Sequence, residues 1–95
     1  KQGALVCIVP GAFNMTTGPA HWELLFRARA VDNQLFMVGV SPARDLDFSY
    51  HAYGHSLVVD PWGCVLAQLE FEEGIAIVTV DLERVPSVRR QIPIL

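Results

Sequence analysis

Basic residues are scarce in this chain: 7 Lys plus Arg stand against 10 Asp plus Glu, a formal net charge of -3. That balance offers a phosphate backbone no electrostatic attraction, so a nucleic-acid partner is not expected. Long apolar runs are missing too. The longest, such as residues 4–9, are of strand length and fall far short of the roughly 20 residues a membrane-spanning helix needs. Charged residues reach only 18% while apolar ones make up 52%, which excludes a disordered composition and requires a buried core. Cysteine is limited to Cys7 and Cys64, both among apolar neighbours and without CxxC or metal-ligand spacing. Such usage suits a reducing compartment, the cytoplasm with the mitochondrion as a second place, better than a disulfide scaffold. There is no internal repeat, and 95 residues leave room for one core. The sequence starts Lys1-Gln2-Gly3 with no initiator Met and stops on the apolar end Ile92-Pro93-Ile94-Leu95. Both ends read as cuts, and the expectation is a piece of a larger protein.

What is present alternates between buried strands and one helix. Residues 4–9 form a continuous apolar run stopped by Pro10-Gly11, the pattern of a strand covered on both faces. A loop rich in turn formers leads to Gly18-Pro19, and helix formers then predict a helix over 19–33 closed by Asn33. Its apolar residues make two stripes, Trp22, Phe26 and Ala30 on one side and Leu24, Ala28 and Val31 roughly opposite, so both sides should be covered. Glu23 with Arg27 and Arg29 with Asp32 are spaced to pair along the helix. Strands are predicted at 35–40, 56–59, 64–69 and 75–80, and a second helix at 83–91 with Pro86 tolerable only in its first turn. Asp60-Pro61-Trp62-Gly63 has the residues of a type I hairpin turn, and Glu72-Glu73-Gly74 makes another turn. Buried strands beside a doubly covered helix indicate a layered α/β sandwich.

Three stretches carry a resemblance. They are Pro10-Gly11-Ala12-Phe13-Asn14 after the first strand, Thr17-Gly18-Pro19-Ala20-His21-Trp22-Glu23 running into Arg27-Ala28-Arg29-Ala30-Val31-Asp32-Asn33, and residues 54–63 from Gly54-His55 to Trp62-Gly63. In order and spacing they resemble the C-terminal half of the nitrilase superfamily of carbon–nitrogen hydrolases, most closely the omega-amidases, over nearly the whole chain. The resemblance implies an α/β fold, part of a four-layer α-β-β-α sandwich with a mostly mixed sheet and one long helix. Residues 1–95 would be the C-terminal part of a single hydrolase domain. It implies a homodimer through helix 19–33, with the second apolar stripe against the partner. The family's chemistry is amide hydrolysis by a Cys thiolate, with a Glu as general base and a Lys stabilising the oxyanion. By the family's order all three precede Lys1, so no catalytic residue is expected within the chain. The implied substrate is a small α-keto-acid amide such as α-ketoglutaramate or α-ketosuccinamate, with no cofactor or metal. Phe13, Thr16 and Thr17 map to the loop that borders the substrate's carboxylate and carbonyl, and Met15 to the same wall.

Other residues have plainer readings. Glu23 beside His21 has the makings of a general base, yet structural support fits its place in the motif better. His51 and His55 are four apart, but Gly54 and the loop composition around them argue against a helical zinc site. Arg44 and Asp45 suit either an anionic substrate or each other, and the sequence does not separate the two. Cys7 sits among aliphatics and reads as core; Cys64, one residue past a turn, reads as inert. A rival to the enzyme reading is a truncated isoform or pseudoenzyme that acts by packing onto full-length subunits.

Overall fold

The computed structural model describes residues 3–44, 52–72 and 74–93. Strand β1, Val6–Pro10, pairs in parallel with β2, Phe36–Val40, with Val6 opposite Phe36 and Pro10 opposite Val40. A parallel pair needs a crossover, and the helical segment 18–33 supplies it. Its first turn, Gly18–Trp22, is wound as a π-helix, and Glu23–Asn33 continues as helix α1. Pro19 sits at the start, where a missing N–H costs nothing. Gln34 ends the helix in the left-handed region at φ 53° and returns its N–H to Ala30 O.

β2 continues the sheet antiparallel to β3, Leu57–Val59, which pairs antiparallel with β4, Val65–Gln68. The order is β1-β2-β3-β4. The β3–β4 turn is the one expected from Asp60-Pro61-Trp62-Gly63. Asp60 Oδ1 accepts the N–H groups of Trp62 and Cys64, both at 2.9 Å, and Gly63 takes φ 93°. Helix α2, Arg84–Gln91, has Pro86 in its first turn and buries Val85 and Val88. It is tied to the end of α1 where Arg89 Nη2 donates to Asn33 O and Gln34 Nε2 to Ile92 O.

The core lies between α1 and the sheet. Trp22, Phe26 and Ala30 pack on Met37, Leu57 and Val59, with Cys7 and Val65 partly buried beside them. Strand alternation turns Val6, Ile8, Val38 and Val40 to the opposite face, where Ile8 is 65% exposed. This is one sheet and one helix layer of an α/β sandwich.

The structure departs from the sequence reading over 75–80 and at Arg29. No strand forms over 75–80: Ile75 and Ile77 are 89% and 93% exposed, and no ladder joins this segment to the four-stranded sheet. The apolar pattern is present, but a strand exists only through a neighbour's hydrogen bonds. The second stripe of α1, which the resemblance sets against a partner, faces outward among the described residues, with Leu24 62% exposed and Val31 also exposed. Glu23 and Arg27 pair at 3.7 Å, whereas Arg29 lines the β1–α1 groove and forms no ion pair with Asp32.

Candidate functional site

In open α/β sheets ligands bind outside the carboxyl ends of parallel strands. Here those ends are Pro10 of β1 and Val40 of β2, joined where Gly11 N–H donates to Val40 O at 2.9 Å. The loop from Gly11 to Thr17 leaves β1 at that edge. Phe13 is half-buried, its ring edge-on to Trp22 with centroids 5.1 Å apart, and Trp22 meets Phe26 in the same way at 4.8 Å. Phe13 thereby walls a groove of about 520 Å³ between β1 and α1, whose apolar lining includes Val9, Trp22, Leu25 and Met37.

Asn14 organises the rest of the loop. Its Oδ1 accepts Thr16 N–H at 2.9 Å, Thr17 N–H at 2.8 Å and the Thr17 hydroxyl at 3.0 Å, while its carbonyl accepts Gly18 N–H at 2.8 Å. This is an Asx turn feeding the helix. Thr16 and Met15 are exposed and Thr17 half-buried. The three expected site residues share one loop, but only Phe13 lines the groove; the side chains of Thr16 and Thr17 lie outside it. Asn14 was not singled out in the sequence, although an Asn followed at two and three residues by Thr is a recognisable turn signature.

The loop rests on residues 52–55. Tyr53 N–H donates to Phe13 O at 2.7 Å, and Trp22 Nε1 donates to His55 O at 2.7 Å. Tyr53 stacks on His55 at 3.9 Å. Arg44 Nε donates to Ala52 O at 3.0 Å and Nη2 to Tyr53 O at 3.2 Å, with the guanidinium 4.3 Å above the Phe71 ring. The Arg44–Asp45 pairing and the His51–His55 spacing lie outside the described residues, because Asp45 and His51 do. So does the turn at Glu73.

Among the described residues no three His, Cys, Asp or Glu gather to hold a metal ion, and no helix is long and apolar enough to cross a membrane. Cys7 packs against the core and Cys64 is exposed. Glu23 faces Arg27 on the surface rather than His21. The arrangement can wall and orient a small ligand; among the described residues it brings no nucleophile and base together.

The Carbon-nitrogen hydrolase family matches residues 1–90. The chain is 57% identical over 95 residues to the omega-amidase NIT2 of Mus musculus, spanning 100% of this chain and 34% of that protein. It is 54% identical over 94 residues to the omega-amidase NIT2 of Homo sapiens, spanning 99% and 34%. Among solved structures, Nit3 of Saccharomyces cerevisiae, a member of branch 10 of the nitrilase superfamily, superposes with a TM-score of 0.94 at 50% identity, over 98% of this chain and 34% of that one. The NitFhit protein of C. elegans superposes with a TM-score of 0.91 at 40% identity, over 98% and 23%. The chain therefore spans about a third of the length of the omega-amidases it matches. Agreement in both sequence and fold along nearly every residue leaves one assignment: this chain belongs to the carbon–nitrogen hydrolases of the nitrilase superfamily.

Proposed function

We propose that this chain is the substrate-wall portion of an omega-amidase-like hydrolase that converts the terminal amide of an α-keto-acid amide, such as α-ketoglutaramate or α-ketosuccinamate, to ammonia and the dicarboxylic keto acid. The observation that carries this reading is the 57% identity to an omega-amidase along the whole chain. In the reaction a Cys thiol supplied from outside these residues gives its proton to a Glu and adds to the amide carbonyl; the Glu passes that proton to the nitrogen, the C–N bond breaks and ammonia leaves, forming a thioester. Water, activated by a Glu, then releases the acid and restores the thiol, while a Lys stabilises each oxyanion. Within this chain Phe13 bounds the pocket and the loop of Thr16 and Thr17 meets the keto-acid end. The Thr17 hydroxyl donates to Asn14 Oδ1, which keeps two backbone donors if that hydroxyl rotates. Rotation exchanges a neutral hydrogen bond for a charge-assisted one, which is the stronger of the two. The exposed stripe of Leu24 and Val31 is the surface we assign to a second copy, and the cytoplasm, with the mitochondrion, is the compartment that the free cysteines suit.

The test is ammonia release from α-ketoglutaramate by the full-length protein containing this chain. Losing a hydrogen bond to a charged group costs about 1.5–3 kcal/mol, so Thr17→Val should raise KM roughly tenfold or more, with kcat changed far less. Unchanged kinetics in Thr16→Val and Thr17→Val would remove both residues from the site. No ammonia above a buffer control from the full-length protein would overturn the enzyme reading and favour a non-catalytic partner of active subunits.

A further inference from the structure

The loop that holds Phe13, Thr16 and Thr17 has no ladder of its own, so its position depends on what it rests against. That support is the segment 52–55. Tyr53 N–H bonds Phe13 O at 2.7 Å. The Tyr53 ring presses so closely on Gly18 that a Cβ there would overlap ring Cγ. Trp22, the residue Phe13 packs on, is held by its indole N–H to His55 O.

Segment 52–55 is itself irregular: Gly54 and His55 both lie at positive φ, 78° and 62°, and a non-glycine residue there needs outside restraint. His55 is restrained by its N–H to Glu70 O at 3.0 Å and by Nδ1 against Tyr53 O at 2.7 Å. A further restraint is Arg44. Its guanidinium spans two successive carbonyls, Ala52 O and Tyr53 O, and lies over Phe71, while its own N–H bonds Phe71 O at 2.7 Å. A planar fork satisfies two carbonyls and a ring face together; an ammonium on a flexible stem does not.

We propose that Arg44 is a positioning residue for the substrate wall, acting through Tyr53 on the Phe13–Thr17 loop rather than by touching the keto acid. This rests on the reading of that loop as the substrate wall. Arg44 follows Ser41-Pro42 at the end of β2, where a cation invites assignment as an anion ligand, yet its Nε and Nη2 are turned to main-chain carbonyls.

The full-length protein with Arg44→Lys and Arg44→Ala separates the possibilities, read by kinetics and by amide hydrogen exchange. Positioning predicts that both variants raise KM for α-ketoglutaramate about tenfold with a smaller fall in kcat. An amide substrate of similar length without the carboxylate should lose as much. Exchange at Tyr53, Thr16, Thr17 and Gly18 should quicken at least tenfold while Val38 and Val58 in the sheet keep their protection. Kinetics kept by Arg44→Lys, or a loss confined to the carboxylate-bearing substrate, would make Arg44 a direct ligand and overturn the proposal. Faster exchange throughout the sheet would make it a general stabiliser and overturn it too. Should the wild-type protein hydrolyse no keto-acid amide, the enzyme reading falls, and the exchange pattern still decides whether Arg44 fixes the loop.

Discussion

Two residues show how unevenly a site is written in sequence. Asp60 was legible: an Asp at the first position of a turn, two before Trp62 and four before Cys64, is placed to accept both N–H groups, and it does so while nearly buried. Asp60→Ala leaves those donors without their partner, and a lost buried hydrogen bond of this kind costs about 1–3 kcal/mol. Asp60→Asn keeps one acceptor oxygen and should recover most of that in denaturant unfolding of the full-length protein. Gly18 was legible only as a helix-start residue. Its need for a bare Cα comes from the Tyr53 ring, a contact between distant parts of the chain that no local pattern encodes. Gly18→Ala forces Tyr53 to move, an overpacking effect of about 1–3 kcal/mol, and should loosen the Phe13 hydrogen bond with it. A melting temperature equal to wild type would show that the ring yields freely. The threonines fall between these cases: the spacing of Asn14 to Thr16 and Thr17 marks a turn locally, whereas the donation of the Thr17 hydroxyl to Asn14 Oδ1 is not written in that spacing.

Among elements, α1 and the first four strands followed from their apolar runs, because a buried run bounded by Pro, Gly or Asn has few other ways to fold. The segment 75–80 had an equally apolar pattern and formed no strand, since pairing depends on a neighbour rather than on composition. The two-striped helix was read correctly as a pattern, and one stripe is buried here. Phe26 fills the covered side against Gly39 and Leu57, so Phe26→Ala should cost about 3–5 kcal/mol. Leu24 lies on the uncovered side. Leu24→Asp should leave the stability of a subunit nearly unchanged and shift the full-length protein toward monomer in sedimentation. A dimer of unaltered strength would take helix 18–33 out of the interface.

At the scale of the molecule, one sheet face is packed by α1 and the other presents Val6, Ile8 and Val40. Soluble monomers rarely expose contiguous apolar patches beyond a few hundred Å². The 95-residue chain expressed alone should therefore bind ANS and associate on sizing, whereas a sharp monomer peak with a cooperative melt would make it self-sufficient. The proposed reading gives this chain the wall of a pocket and puts the reacting groups outside it. Ammonia release from α-ketoglutaramate tests that division, measured for this chain alone, for the remainder of the full-length protein alone, and for the two co-expressed. The account predicts release only when both are present. Release by the 95-residue chain by itself, abolished by Cys64→Ser, would contradict it.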